Sequence, residues 1–387
     1  MYKRFASTEL VSLAKDYPVI TLLGPRQSGK TTLVRYLFPN KPYVNLEALD
    51  TQQMASFDPR GFLQQYPQGA ILDEIQRVPA LLSYIQVIVD ESQSKGMFIL
   101  TGSHQLELHQ AITQSLAGRT AILTLLPMSL EELANAGIEL TLDEALLKGG
   151  YPRIFKDKLD PTKAYRNYFQ TYVERDLRQL IHVKDLNQFQ RFIKVCAGRI
   201  GQLLNMESIG NDIGITSKTI KEWISILEAS FVLFRLQPYH ENFGKRIIKT
   251  SKIFFYDVGL ATYLLGISNT EQLFRDPSRG HLVENLVILE LMKDRLNKGL
   301  DPQLYYFRDT HGHEVDVIFQ SGRQLFPIEI KASETFNTNF FKNIDFFRNL
   351  APDRCGAGTL IYAGKQEQSG KTHRILNYRN ALQSLQE

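Results

Sequence analysis

Near its beginning the chain reads Gly24-Pro25-Arg26-Gln27-Ser28-Gly29-Lys30-Thr31-Thr32, which completes the pattern G-x-x-x-x-G-K-T. The apolar run at residues 18–23 precedes it and is typical of a buried parallel strand. After it, Leu33, Val34 and Leu37 fall on one face of a helix. Strand, glycine-bearing turn and helix therefore follow one another in the order that a phosphate-binding loop requires.

The residue types in this loop suit the phosphates of a nucleoside triphosphate. Gly24 and Gly29 permit backbone angles that a side chain would block, so successive amide groups can turn inward at the helix N-terminus. Lys30 is expected to reach the β- and γ-phosphates, and Thr31 to offer a hydroxyl to Mg²⁺. Residues 24–32 together are the predicted binding loop for ATP.

The second half of the nucleotide site is predicted after a short apolar strand at residues 70–72. That strand ends in the two acids Asp73 and Glu74. A carboxylate at the carboxyl end of a parallel strand lies beside the phosphate loop. We therefore expect Asp73 to hold the hydrated Mg²⁺, and Glu74 to orient and deprotonate the attacking water.

Two more polar residues flank strands of the same predicted sheet: Ser103 follows one strand, and Arg119 precedes another. Ser103 either senses the γ-phosphate or positions water, or it only ends its strand at a turn. Arg119 either reaches the γ-phosphate of a neighbouring subunit in a homo-oligomer, where it would stabilise transition-state charge, or pairs with a surface acid. The residues alone leave both pairs of alternatives open.

Seven motifs are spread over nearly the whole chain. They read Gly-Pro-Arg-Gln-Ser-Gly-Lys-Thr-Thr-Leu at 24–33, Leu-Asp-Glu-Ile-Gln at 72–76, Leu-Thr-Gly-Ser at 100–103, Ala-Gly-Arg at 117–119, Gly-Gly-Tyr-Pro at 149–152, Tyr-Val-Glu-Arg-Asp-Leu at 172–177 and Phe-Tyr-Asp-Val-Gly-Leu at 255–260. Together they resemble a family of prokaryotic AAA+ ATPases whose members carry a C-terminal domain of unknown function. The resemblance implies the same roles for Lys30, Thr31, Asp73, Glu74, Ser103 and Arg119. Val258 departs from the family pattern, in which threonine is expected.

Length and composition limit the number of domains and the partners that the chain can have. The 387 residues are enough for two or three domains, and the formal net charge of +4 is too small to argue for nucleic acid by itself. Cys196 and Cys355 are the only cysteines and have no metal-ligand spacing. The sequence contains neither a signal-peptide core nor an apolar run long enough to span a membrane. We expect a cytoplasmic protein without a membrane partner.

The middle of the chain is predicted to be helical. An aromatic series, Tyr165, Tyr168, Phe169 and Tyr172, is accompanied by Arg175 and Arg178, and such a series favours a buried core over a surface for stacking bases.

Residues 206–227 suggest a helix-turn-helix, with the turn at Gly214 and the second helix capped by Thr216 or Ser217. Segments 231–236 and 253–256 would form the wing of a winged helix. Between and beside them lies a basic group suited to phosphates: Lys245, Arg246, Lys249 and Lys252. DNA would contact the second helix through Ser217, Lys218 and Lys221. The alternative is a winged helix that serves as a lid or subunit contact beside the ATPase.

A separate set of charged residues stands in the last third of the chain. Glu284 lies on a predicted helix, Asp316 on a strand, and Glu329 and Lys331 on one face of the strand after a turn. This set resembles that of the restriction-endonuclease-like nucleases. The resemblance implies that the carboxylates Glu284, Asp316 and Glu329 hold Mg²⁺ and that Lys331 helps to generate or orient hydroxide. Such domains also serve as binding modules that do not cut.

The predicted fold class is α/β, in three parts. Residues 1–155 form a P-loop AAA+ ATPase domain with a parallel sheet, residues 156–270 a helical region with a winged helix-turn-helix, and residues 271–387 an α/β restriction-endonuclease-like domain. The predicted function is ATP hydrolysis that controls a DNA-binding and Mg²⁺-dependent DNA-cleaving C-terminal half. The alternative is a nucleotide-gated DNA- or protein-binding scaffold whose nuclease-like domain is inactive.

Overall fold

The computed structural model describes residues 2–103, 112, 114–174, 186–240 and 248–386. The chain divides into two compact units. The first contains residues 1–128 with the short segments 229–231 and 295–300, and the second contains the remainder. None of the helices within the described ranges combines the length and the apolar character needed to cross a bilayer.

The first unit is built on a five-stranded parallel sheet. Its elements are α1 Ala6–Asp16, β1 Val19–Leu23, α2 Lys30–Leu37, β2 Tyr43–Asn45, α3 Leu49–Phe57, α4 Pro59–Gln64, β3 Ile71–Asp73, α5 Leu81–Ser92, β4 Phe98–Gly102 and β5 Thr120–Thr124. The strand order is β2-β3-β4-β1-β5. β1 and β4 are buried at every position, as parallel strands covered on both faces must be. Consequently β4 separates the strand before the phosphate loop from the strand that ends in Asp73.

The second unit begins with helices and a two-stranded ribbon. Its elements are α6 Leu130–Asn135, α7 Leu142–Lys148, α8 Pro152–Lys156, α9 Pro161–Tyr168, α10 Leu186–Gly198, α11 Met206–Ile213, α12 Ser217–Ala229, β6 Leu233–Leu236, β7 Lys252–Phe255, α13 Val258–Leu264, α14 Thr270–Arg275 and α15 Arg279–Asn297. The four aromatic side chains of the predicted series (Tyr165, Tyr168, Phe169 and Tyr172) are all buried. They form core, whereas Arg175 and Arg178 lie outside the described residues.

The expected helix, turn and second helix are present as α11, Gly214 and α12. Gly214 ends α11 in the left-handed region at φ +82°, a conformation that glycine adopts without strain. The hydroxyl of Thr216 accepts the backbone N–H of Thr219 at 3.2 Å and so caps α12. Lys218 and Lys221 are exposed on this helix. The antiparallel pair β6–β7 follows it.

The predicted basic group beside the ribbon needs one correction. Lys252, the first residue of β7, is 2% exposed and therefore cannot belong to a basic surface. Lys249 is exposed, while Lys245 and Arg246 lie outside the described residues.

A six-stranded mixed sheet completes the second unit. Its elements are β8 Leu304–Arg308, β9 Glu314–Ser321, β10 Gln324–Lys331, α16 Lys342–Leu350, β11 Gly358–Tyr362, β12 Gln368–Ser369 and β13 His373–Asn377, in the strand order β12-β13-β11-β10-β9-β8. β13 follows β11 along the chain and pairs with it in parallel. Only Leu376 of β13 is buried, so this strand has no apolar run by which to recognise it.

A buried carboxylate, Asp257, joins the motifs at 149–152 and 255–260. Its Oδ1 accepts the Tyr165 hydroxyl at 2.6 Å and the Leu260 N–H at 3.0 Å, and its Oδ2 accepts the Gly150 N–H at 2.8 Å. Burial raises the pKa of Asp257. Gly149 has φ +59°, and a Cβ there would lie 2.3 Å from Asp257 Oδ1. The two motifs thus form a structural junction.

Gly149→Ala is expected to destabilise the protein strongly, because the added methyl meets the Asp257 carboxylate in a backbone conformation that suits glycine. We expect a loss of about 3 kcal/mol in the free energy of unfolding, measured by urea denaturation. Gly137→Ala is the matched control, since Gly137 also has positive φ, +75°, but nothing lies within 4 Å of an added Cβ. The control should lose about 1 kcal/mol. If the two variants lost equal free energies of unfolding, contact of the added methyl with Asp257 would not be the cause of the destabilisation.

Candidate functional site

The phosphate loop connects β1 to α2 at the carboxyl edge of the parallel sheet. A Cβ on Gly24 would lie 2.1 Å from the carbonyl oxygen of Leu125, so only glycine fits there. Gly29 caps α2 with φ +97°, which again favours glycine. The N-terminus of α2, with Lys30 and Thr31 in its first turn, therefore faces the space that the loop encloses.

An arginine outside the motif supports this loop. Arg4 is buried, and its guanidinium donates to the carbonyl oxygen of Ser28 at 2.8 Å and to that of Leu126 at 2.6 Å. It thereby fastens the loop to the chain that follows β5. Arg4 is not predicted from the sequence, since a single arginine before a helix carries no local signal.

Lys30 is folded into the loop. Its ammonium donates to the carbonyl oxygens of Gly24 at 2.8 Å and Pro25 at 2.9 Å, and the side chain is buried. Burial lowers the pKa of Lys30 to about 8, although the carboxylates of Glu74 and Asp73 act in the opposite direction. An anion beside this ammonium would restore the stability of its charged form.

Asp73 ends β3 and accepts three hydroxyl groups. Its carboxylate oxygens accept the hydroxyl of Thr31 at 2.9 and 3.0 Å and that of Tyr43 at 2.7 Å, and the hydroxyl of Thr101 as well. Burial and the bond to Asp73 raise the pKa of Tyr43 above its ordinary value. Tyr43 and Thr101 were not predicted as site residues. A threonine inside the apolar strand β4 is a signal that could have found the latter.

The pair Thr31 and Asp73 fits a magnesium ion. A hydroxyl and a carboxylate side by side offer the oxygen atoms that Mg²⁺ prefers, directly or through its water shell. When bound there with ATP, the ion would neutralise phosphate charge.

Glu74 has an unusual backbone. It lies in the left-handed region at φ +57° and ψ +49°, and its N–H donates to the Thr101 hydroxyl at 3.2 Å. Its carboxylate accepts the Ser103 hydroxyl at 3.0 Å and the side-chain amide of Gln76. A non-glycine residue held in this region costs roughly 1–3 kcal/mol and is a feature of functional sites. Ser103 therefore contacts the predicted base, and Gln76 is a further contact, one that the sequence does not predict.

The remaining loop residues differ in their exposure. Arg26 donates to Glu47 at 3.0 Å, Gln27 and Thr32 are exposed, and Ser28 is buried.

Arg119 lies at the amino ends of the parallel strands, opposite the edge that carries the phosphate loop. Its carbonyl accepts the N–H of Val19, the first residue of β1, so about 13 Å of strand separate it from the loop that follows Leu23. Its guanidinium makes two bonds to Asp90, at 2.6 and 2.8 Å. The structure thus shows the ion pair with a surface acid, and the role in a neighbouring subunit stays a prediction.

The four predicted residues of the C-terminal domain do come together. Asp316 on β9 accepts the N–H of Ile330 at 2.8 Å and lies 3.7 Å from the ammonium of Lys331, which donates to Glu329 at 2.6 Å. Burial, with the charge of Asp316, raises the pKa of Glu329 to about 8. Burial alone would lower the pKa of Lys331, but the neighbouring carboxylates, chiefly Asp316, raise it above its ordinary value.

These residues do not fit a bound Mg²⁺ in this conformation. Glu284, from α15, accepts the buried ammonium of Lys252 at 3.0 Å instead of turning to a shared ion. Across the described part of the chain, no group of three or more His, Cys, Asp or Glu side chains is arranged to hold a metal ion.

Comparison with known proteins gives three matching family models. An AAA domain matches residues 16–134, and two domains of unknown function, DUF8612 and DUF4143, match residues 139–271 and 279–380. A solved structure, the Walker-type ATPase PABY2304 of Pyrococcus abyssi, is 15% identical with a TM-score of 0.48, over 68% of this chain and 96% of that one.

Curated relatives extend over most of the chain. Uncharacterized protein Rv2008c of Mycobacterium tuberculosis is 30% identical over 339 residues, which cover 86% of this chain and 74% of the relative. Uncharacterized protein Mb2031c of Mycobacterium bovis gives the same values. Uncharacterized protein MJ1637 of Methanocaldococcus jannaschii is 24% identical, over 73% of this chain and 69% of its own length.

The parallel sheet, the phosphate loop and the matching AAA domain define an ATPase of the AAA type. Within that class, the chain belongs to the family of the mycobacterial proteins Rv2008c and Mb2031c.

The lowered pKa of Lys30 predicts a pH dependence of ATP binding. Above pH 8 the free site loses its ammonium charge and must take up a proton when ATP binds, so affinity should fall by about tenfold between pH 7 and pH 9. Isothermal titration calorimetry would measure the affinity for ATP at each pH. In Lys30→Arg the charge persists over this range, and the weaker binding should show a flat profile. A flat profile in the unsubstituted protein would contradict the shift.

Proposed function

We propose that this protein is a Mg²⁺-dependent, ATP-hydrolysing AAA+ enzyme whose nucleotide state controls a DNA-binding C-terminal half. The observation that carries the ATPase assignment is the meeting of the phosphate loop, Asp73 and Glu74 at one edge of the parallel sheet. ATP is the substrate, and the loop residues are its binding site.

Each residue at this edge has a task in the proposed reaction. Lys30 would exchange its carbonyl partners for the phosphate oxygens of ATP, with which its charge is more stable. Thr31 and Asp73 would hold Mg²⁺. Glu74 would take the proton of the water that attacks the γ-phosphate, while Ser103 and Gln76 fix the direction of its carboxylate.

The proposal of DNA binding rests on α12. Ser217, Lys218 and Lys221 lie exposed on it, whereas Ile220, Trp223 and Leu227 are buried. This division leaves one polar face of a helix-turn-helix available, in the position of a recognition helix with the β6–β7 ribbon as its wing. Use of the same face as a lid or as a subunit contact is the competing assignment.

For the C-terminal domain we propose binding rather than cutting. The convergence of Asp316, Glu329 and Lys331 favours cleavage, but the cation beside Glu284 is the ammonium of Lys252. The domain would then be a nuclease-like module that docks DNA or protein.

A homo-oligomer is also part of the proposal. Arg119 would have to release Asp90 to reach the nucleotide of a neighbouring subunit, where its charge would stabilise the transition state.

Glu74→Gln is expected to bind ATP but to hydrolyse it about 100-fold or more slowly, because the amide cannot accept the proton of water. Lys30→Ala should lose ATP binding altogether. Binding by calorimetry and phosphate release are the measurements, and Glu91→Gln, an exposed acid on α5, is the control that should leave both unchanged. Undiminished turnover in Glu74→Gln would exclude it as the base.

The double variant Lys218→Glu, Lys221→Glu should weaken DNA binding and lower the slope of log affinity against log salt by about 2, because two phosphate contacts are lost. Fluorescence anisotropy with a duplex, with and without ATP, would measure this. Lys15→Glu with Lys95→Glu changes the net charge equally at exposed positions of the ATPase unit and is the matched control. Equal effects from both pairs would refute recognition by α12, and no response to ATP would refute nucleotide control.

A further inference from the structure

Four carboxylates gather beside β9 and β10, and we call them the acidic cluster: Glu284, Glu314, Asp316 and Glu329. Glu284 and Glu329 are 6% and 5% exposed. Buried carboxylates are unfavourable unless they are paired, so cations must lie beside them. Lys331 serves Glu329 and Asp316, at 2.6 and 3.7 Å.

In the other half, Glu314 lies 3.0 Å from the guanidinium of Arg308 and Glu284 lies 3.4 Å from His281 Nδ1, but the cation that both carboxylates share comes from outside the C-terminal sheet. Lys252, at the start of β7, places its ammonium 3.0 Å from Glu284 Oε1 and 2.5 Å from Glu314 Oε1. Its side chain is buried, and the Tyr306 ring lies 5.5 Å from the nitrogen. Burial alone would lower the pKa of this ammonium, but the surrounding carboxylates, Glu284 first among them, raise it above its ordinary value.

The backbone around Lys252 keeps the ammonium in place. The Leu204 N–H donates to the carbonyl of Ser251 at 2.8 Å, and the Gly201 N–H to that of Ile253 at 2.8 Å, so the residues on both sides are bonded. Gly201 also leaves space for Glu284, since a Cβ there would lie 3.0 Å from Glu284 Oε2. One atom of the cluster has no partner among the described residues: Oε2 of Glu329 is buried and accepts no hydrogen bond.

We propose that the ammonium of Lys252 is the resident cation of the acidic cluster and takes the place of a divalent metal ion. The cluster is then a metal-independent junction that fixes the β6–β7 ribbon to the C-terminal sheet. This inference stands on the geometry of Lys252 and does not depend on ATP hydrolysis or DNA binding. Removal of the ammonium should free Glu284 and Glu314, which together with the nearby Asp316 would then offer oxygen donors to a divalent cation.

The test is the binding of Mn²⁺ to the full chain without nucleotide. Lys252→Met leaves Glu284 and Glu314 without the ammonium that they share, so millimolar Mn²⁺ should raise the melting temperature of this variant by roughly 5–10 °C. Any Mn²⁺ bound at Thr31 and Asp73 raises the melting temperature of both proteins equally, so this further rise should be absent from the unsubstituted protein. The control is Lys293→Met, which removes another buried ammonium, 2.9 Å from Glu290 on the same helix. It should be destabilised without any rescue by Mn²⁺.

The double variant Lys252→Met, Asp316→Asn should show no rise in melting temperature with Mn²⁺. That result would locate the ion in the acidic cluster. A folded Lys252→Met protein that does not respond to Mn²⁺ overturns the proposal. A second measurement needs no lysine variant: electron paramagnetic resonance would compare Mn²⁺ uptake by the unsubstituted protein and by Asp316→Asn. Equal uptake supports the proposal, and greater uptake by the unsubstituted protein shows a metal site and overturns it.

Discussion

The nucleotide site depends on one carboxylate. Asp73 accepts hydroxyl groups from α2, β2 and β4, so three neighbouring elements are held at the end of β3. Its burial would be unfavourable without these donors, and hydrogen bonds to a charged acceptor are stronger than those between neutral groups. The position of Thr31 relative to β3 is therefore set before any ligand arrives. Such preorganisation avoids rearrangement of the site during the reaction.

Each unit contains a buried lysine; burial alone lowers the pKa of both, and the groups around each ammonium decide the net shift. Lys30 donates to uncharged carbonyl oxygens, and the pKa falls to about 8. Lys252 donates to carboxylates, and its pKa rises. The first ammonium is poorly stabilised and gains from a phosphate, whereas the second already has its anions. We therefore propose that the same residue type binds a ligand in one unit and acts as a structural cation in the other.

What the sequence predicts well is what local order determines. The phosphate loop follows from contiguous residues, and the meeting of Asp73 with the loop follows from the rule that parallel strands end at one edge. Arg4 and Tyr43 escape prediction because their partners are distant in sequence. Lys252 is mispredicted for the same reason: its basic neighbours suggest a surface, while its burial depends on Glu284 and Glu314. The residues adjacent to a lysine in sequence do not reveal that carboxylates from distant segments will neutralise its charge in the folded protein.

A resemblance that extends over nearly the whole chain need not mark function throughout. The motifs at 149–152 and 255–260 meet at Asp257, a buried acid with a raised pKa, and such acids are often sought as catalytic groups. Here both carboxylate oxygens already accept donors, from Tyr165, Leu260 and Gly150. Since Tyr165 also packs against Tyr151, the junction is closed by side chains of the core. Asp257 therefore orders the helices of the second unit, and the chemistry of the protein has to be sought at the edge of the parallel sheet.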